Sequence, residues 1–341
     1  MSNNKVLSYG EILLRICPDA DGGWLKDNVL PFYVGGAECN VATALAIWGT
    51  PSAYCTAMPD NLMTRQLASY LNDLGVDTTR VRYEGERLGV YYLPKGKDLK
   101  NAGVIYDRAH SSFAALQPGS IDWDKALQDI GWLHFSAISP ALNRNAATVC
   151  KELLEAASKK KITISVDLNY RAKLWQYGAA PTDIMPGLVE YCDFVMGNLW
   201  AAEKMLDIPV DTKLTTGNKA DYLEHSRITS EQIVKTFPKV KHVAKTFRFD
   251  HGEKGIKYYT SLYTNKTLYH SVEYTSDQIL DKVGSGDCFM AGLIHGFRKG
   301  DSPQDTLEFA TAAAYQKLFI PSDATDQRAA DILKFMHAYE R

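Results

Sequence analysis

An aspartate, Asp287, directly follows three small residues, Gly284, Ser285 and Gly286, in the stretch DKVGSGDCFMAG. Phe289, Leu293, Ile294 and Phe297 recur behind it at helical spacing, which predicts that Gly284 to Asp287 form the first turn of a buried helix. The first N–H groups of a helix lack partners within it, and glycine lets a phosphate come close to them, so such a turn suits an anion. A carboxylate there favours the positive end of the helix; beside a phosphate it is repulsive unless it takes a proton. The second candidate is VGGAECNVATALAIWG, Val34 to Gly49. Gly35 and Gly36 would let a ligand hydroxyl approach backbone, and Asn40 offers both a donor and an acceptor, as a polyol requires. Taken singly, each motif is also what a tight turn before a packing helix looks like.

The elements that must position these residues alternate. Short apolar runs at Val6 to Ile16, Ser52 to Ala57, Trp132 to Phe135, Ile162 to Asp167, Phe194 to Met196 and His242 to Thr246 read as strands, and segments such as Leu62 to Leu74 and Asn145 to Lys159 read as amphipathic helices. The pattern predicts an α/β protein with a doubly wound, mostly parallel sheet and helices on both faces, whose ligands gather at the carboxyl ends of the strands. Gly85 to Asp107 breaks the alternation with two strands and a polar turn, a hairpin that projects as a flap. Pro209 to Thr229, rich in Thr, Lys and Asp, reads as a surface excursion. No repeat or dividing linker appears, so residues 1–341 read as one domain.

Composition narrows the partners. The 341 residues carry a formal net charge of -2 and no basic patch, which argues against nucleic acid or an anionic membrane. The polar start, the lack of any run of 18 apolar residues and the absence of a CxxC pair among six scattered cysteines favour a cytoplasmic protein with reduced, buried thiols. The eight histidines form no metal-binding pattern.

Together, GGAECNVA and DKVGSGDCFMAG resemble the two signature regions of the ribokinase/PfkB family of sugar kinases, in the same order and over nearly the whole chain. The resemblance implies a ribokinase-like fold with a small β lid, contributed by about 85–110 and part of about 12–34, and transfer of a phosphoryl group from ATP, with Mg²⁺, to a sugar hydroxyl. It makes Asp287 the catalytic base and Gly284, Ser285 and Gly286 an anion hole. Phosphoryl transfer asks chiefly for alignment and charge neutralisation, which agrees with these residue types.

Finer residues address the sugar. Tyr106 and Arg108, two apart in an extended segment, point the same way, and Arg171 follows the strand ending at Asp167. Two arginines converging on one pocket suit a sugar acid, because guanidinium pairs a carboxylate bidentately. Tyr106-x-Arg108 and the DLNYR segment resemble 2-keto-3-deoxygluconate kinases, in which the residue matching Tyr91 also holds substrate; Tyr92 stands beside it. For the nucleotide the resemblance points to Asn198 and Thr246, with Arg248 within reach of ATP, and to an adenine pocket around Ala310 to Ala314 and Phe319 to Asp323.

There are departures. The loop usually ending in glycine and aspartate reads Ala57-Met58-Pro59-Asp60; Lys282 replaces a usual threonine; NLWAAE puts Glu203 two residues late; KTFRFDHGEKG replaces a shorter turn. A kinase of a neutral sugar such as fructose or ribose is the second reading, and a sugar sensor without turnover the third. A nicotinamide-binding protein is the weakest, since SYGEILLR lacks G-x-G-x-x-G. Apolar residues of the flap, Val90, Leu93, Val104 and Ile105, suggest pairing with a second copy.

Overall fold

The computed structural model describes residues 4–18, 28–94, 103–211, 214 and 217–339. Its frame is a ten-stranded sheet in the order β15 (Thr267–His270), β14 (Gly255–Thr264), β13 (His242–His251), β12 (Phe194–Met196), β11 (Thr163–Asp167), β10 (Ile130–Ser136), β1 (Lys5–Tyr9), β4 (Ser52–Cys55) and β6 (Val76–Asp77), with β16 (Tyr274–Ser276) also on β14. Pairings from β6 through β13 are parallel, and those of β14 with β13, β15 and β16 are antiparallel. A second sheet runs β3 (Phe32–Gly35), β2 (Leu13–Ile16), β8 (Gly89–Tyr92) and β9 (Ile105–Asp107), and a short pair joins β5 (Ala57–Met58) to β7 (Arg82–Tyr83). The helices are α1 (Ala37–Ile47), α2 (Leu62–Asp73), α3 (Trp123–Ala126), α4 (Arg144–Lys159), α5 (Pro181–Ile184), α6 (Pro186–Val189), α7 (Leu199–Leu206), α8 (Lys219–Thr236), α9 (Ser285–Lys299), α10 (Pro303–Lys317) and α11 (Ala329–Tyr339).

The strands form where β-branched and aromatic residues sit between helices, and their period of two splits the core across the main sheet. Leu133 and Phe135 cluster with Val149 and Leu153 of α4 on one face; Trp132, Phe194 and Met196 cluster with Phe289 and Leu293 of α9 on the other. Both faces therefore carry helices, as the alternation predicts. The close crossing of α9 and α10 depends on Gly292, where a Cβ would run into the backbone of Ala310.

Three stretches differ from the sequence reading. Val6 to Ile16 is not one strand: the chain leaves the main sheet after Tyr9 and enters the second sheet at Leu13. The strand starting at His242 runs on to His251 and turns at Gly252, whose φ of 63° is one that glycine tolerates, into β14. Within Pro209 to Thr229, Lys219 onward is the start of α8, capped by Asn218, which accepts from Ala220 N at 2.8 Å.

The flap hairpin is present as the antiparallel pair of β8 and β9; residues 95–102 of its turn lie outside the described residues. Its apolar residues face inward more than expected. Leu93 and Val104 are buried, and the outward surface of the second sheet is instead Phe32 and Ile105, 53% and 50% exposed.

Candidate functional site

The carboxyl ends of β11, β12 and β13, the second sheet and the start of α9 enclose a cavity of about 480 Å³. Asp287 lies in it, in the first turn of α9, with Gly284 capping that helix at φ 77°, a left-handed conformation. A Cβ on Gly284 would meet the backbone oxygen of Asp323, so both backbone angle and space demand glycine. Among the described residues no side chain caps this helix end. Ser285 turns its hydroxyl to Ala314 O at 3.0 Å, and Gly286 leaves its backbone open toward the cavity.

Asn40, on α1, donates from Nδ2 to Asp287 Oδ2 at 2.7 Å. Its Oδ1 is buried with no partner among the described residues, an acceptor waiting for a donor. Burial pushes the Asp287 carboxyl up to about 7, helped by Asp167 and Glu38 nearby and opposed by the Asn40 hydrogen bond and by Arg171. A carboxyl poised there can take a proton from an alcohol near neutral pH.

Tyr106 and Arg108 both face the cavity, as their spacing predicts, and Arg171 joins them from the end of β11. Arg108 is not a free guanidinium: Nε and Nη2 lie 2.6 and 2.5 Å from Glu11 Oε2, and both residues are buried. Glu11 escapes a sequence reading because nothing in GEILLR marks it as the counter-charge of a residue 97 positions away. Arg171 is half-buried and bonds its own Tyr170 carbonyl at 3.1 Å.

Of the tyrosine pair, Tyr91 lines the cavity and Tyr92 does not. The Tyr91 hydroxyl donates to Asp323 Oδ2 at 2.5 Å, so the ring is wall and the oxygen is already engaged. Gly36 lines the cavity, with φ of 120° and Glu11 backbone oxygen where a Cβ would be. Gly35 is absent from the lining; Asp323 occupies the space beside it.

The cavity lining also includes Asn198, Thr246, Arg248 and Lys282. Asn198 caps α7, accepting from Ala201 N at 2.8 Å, and Lys282 approaches Asp250 Oδ1 at 3.4 Å. Glu203 lies outside the lining, its carboxylate 3.4 Å from Lys204 Nζ. Ala310 to Ala314 are buried with α9 and contribute nothing to the lining. Aromatic residues line the cavity instead: Trp200, Tyr222, Phe247 and Phe249, with the rings of Tyr222 and Phe249 4.9 Å apart. Tyr222 sits on the helix read from sequence as a surface segment, and Phe247 and Phe249 on the lengthened β13, which is why spacing alone does not mark them.

Among the described residues no three His, Cys, Asp or Glu side chains are grouped to hold a metal ion, and no helix is long and apolar enough to cross a membrane.

Comparison with known proteins identifies the architecture. Residues 3–326 match the model of the pfkB family carbohydrate kinases. The 2-dehydro-3-deoxygluconokinase of Thermotoga maritima is 31% identical and superposes with a TM-score of 0.89, over 98% of this chain and 99% of that one. A PfkB family carbohydrate kinase from Listeria grayi is 29% identical, with a TM-score of 0.86 over 98% and 99%. The 2-dehydro-3-deoxygalactonokinase of Haloferax volcanii is 26% identical over 94% of this chain and 92% of its own length. The α/β frame is thus ribokinase-like, and the chain belongs to the pfkB family of carbohydrate kinases, enzymes that phosphorylate a sugar.

Proposed function

We propose that the protein transfers a phosphoryl group from ATP to the terminal primary hydroxyl of 2-keto-3-deoxygluconate or a close keto-sugar acid, giving the 6-phosphate. The observation that carries this reading is Asp287 itself: a buried carboxyl in the first turn of α9, bonded by Asn40 and lining one cavity together with Tyr106, Arg108 and Arg171 and with Arg248, Lys282 and aromatic rings. Asp287 accepts the proton of the attacking hydroxyl, and its raised proton affinity matches that task near neutral pH. Gly284, Ser285 and Gly286 offer backbone N–H groups at the helix end as the anion hole, with Ser285 contributing backbone because its hydroxyl is engaged.

Gly36 and Asn40 hold sugar hydroxyls, with the unpartnered Asn40 Oδ1 as an acceptor. Arg108 and Arg171 face the carboxylate, flanked by the Tyr91 and Tyr106 rings, which lie 6.4 Å apart. Gly35 acts indirectly, by leaving room for Asp323. Asn198 and Thr246 border the phosphates of ATP, together with Lys282 and Arg248. The uncapped helix end and these cations fit a polyphosphate, and Mg²⁺, carried on those phosphates, would supply further neutralisation of their charge. The second sheet serves as a lid that keeps water from the transfer. The names of the Thermotoga and Haloferax relatives support a keto-deoxy sugar acid over a neutral hexose. Net charge and the lack of a basic patch support a small-molecule role in the cytoplasm without nucleic acid or membrane.

The test is ADP release with Mg-ATP over 2-keto-3-deoxygluconate, 2-keto-3-deoxygalactonate, fructose, ribose and gluconate. Turnover confined to the keto-deoxy acids is expected. Turnover on fructose or ribose would discard the acid pocket, and silence across the panel with sugars still bound would discard catalysis.

A further inference from the structure

Arg15, on β2, is fully buried, yet its guanidinium reaches segments far apart in the chain. Nη2 lies 2.5 Å from Asp281 Oδ2, Nε lies 2.8 Å from Asp323 Oδ1, and the Tyr33 ring of β3 covers the group at 4.9 Å. Asp281 uses its other oxygen on the chain leading into α9, accepting from Val283 N at 3.0 Å. Asp323 takes the Tyr91 hydroxyl, and its backbone oxygen presses on Gly284 where a side chain would begin. The buried Lys317, whose Nζ donates to Ile320 O at 3.2 Å, faces the same two carboxylates, so two cations meet two anions.

Such a group of charges out of water is costly and contributes little stability that apolar residues could not supply. What it does supply is geometry. The guanidinium draws both carboxylates to one group, by a hydrogen bond to Asp281 and by an ion pair without hydrogen-bond geometry to Asp323; Asp281 then holds Val283, while Asp323 holds Tyr91 with its carboxylate and abuts Gly284 with its backbone oxygen. Among these charged residues none lines the cavity, whereas the groups they hold, Tyr91, Val283 and Gly284, all do.

We infer that Arg15 is a positioning residue for phosphoryl transfer: its two ion pairs fix the Asp281 to Gly284 backbone relative to the sheet that carries Arg15 and Tyr91. The sugar wall and the phosphate-facing turn thereby share one anchor. The inference rests on the reading of Gly284 to Asp287 given above.

The test compares wild type, Arg15→Lys, the charge-balanced double variant Arg15→Gln/Asp281→Asn, and Asp287→Asn, on whichever sugar turns over best. The double variant retains one carboxylate and one ammonium and is expected to melt within a few degrees of wild type. Its kcat falls about 10- to 100-fold, with KM for both substrates moving less than about threefold. Arg15→Lys keeps the charge but not the fork, and its kcat lies between the two.

A double variant as active as wild type overturns the inference, as does a loss of kcat no larger than the loss of folded protein measured by circular dichroism. If the double variant does not fold, Arg15→Lys decides alone, and a wild-type kcat there is the adverse result. Retained turnover in Asp287→Asn would overturn the reading of the site and the role of Arg15 with it. An inert Asp287→Asn beside a fully active double variant would overturn the role of Arg15 alone.

Discussion

Asp287 combines a low-dielectric setting with a donor, Asn40, that favours its charged form, and burial wins. Its folded-state affinity for a proton exceeds that of the unfolded chain, so the carboxyl costs stability as pH rises from about 4 to about 7 and the full cost is present above that window. Asp287→Asn is therefore expected to lower kcat by about 10²- to 10⁴-fold while raising the melting midpoint by roughly 2–4 °C at pH 8 and less at pH 5. Calorimetry at both pH values checks the second part. The wild-type kcat should climb with pH through about 7 on a single ionisation. Arg108 needs a paired design. Removing it alone strands Glu11 as a buried, unbalanced carboxylate, at a cost of about 3–5 kcal/mol. Arg108→Met/Glu11→Gln avoids that cost and is expected to weaken kcat/KM for a keto-sugar acid about tenfold more than for a neutral sugar; equal losses would remove the carboxylate role. That Asp287, Gly284 and Arg108 line one cavity was legible in the sequence because their types and spacings are local. Glu11, Asp323 and Arg15 were not, since each owes its role to a partner brought near only by folding.

At the scale of elements, the proposed chemistry depends on where α9 begins. Its first turn is set by a left-handed glycine against Asp323 and by the Ser285 hydroxyl on α10, so the helix enters the cavity at a fixed angle. Gly284→Ala forces a strained backbone angle and a collision with main chain. The expected loss is about 1–3 kcal/mol in chemical denaturation, with kcat falling further than the folded fraction does. Gly292→Ala, at the α9–α10 crossing, makes the contrast: overpacking of about 1–3 kcal/mol, with kcat of the folded enzyme nearly unchanged. Sequence patterning locates α9 because its apolar residues recur at helical spacing behind Asp287, whereas α10 is alanine-rich and buried nearly all round. It misplaces the boundary in Val6 to Ile16, where residues suited to a strand continue across a break between two sheets, and it misses α8, whose polar start at Lys219 hides the helix behind surface-like composition.

For the molecule as a whole, the alternation of strands and helices carries the fold, and the antiparallel edge of β14, β15 and β16 is an addition that helical punctuation does not announce. The second sheet turns Phe32 and Ile105 outward on its two edge strands, and Val29, in the segment leading into β3, is 70% exposed. We expect this surface to pair with a second copy of the chain, because unpaired edges and apolar side chains together favour association. Light scattering at several concentrations should show a dimer that Phe32→Asp/Ile105→Asp converts to monomer, and a wild-type monomer throughout would end the idea. One further property follows from the cysteines. All six are buried, and burial holds Cys39, Cys55 and Cys288 up at about 12. Thiols of that kind are inert to maleimides at neutral pH. A single cysteine introduced at Lys125, on the exposed outer side of the main domain, would therefore be the sole labelling position, and one fluorophore could be attached there without first rebuilding the core.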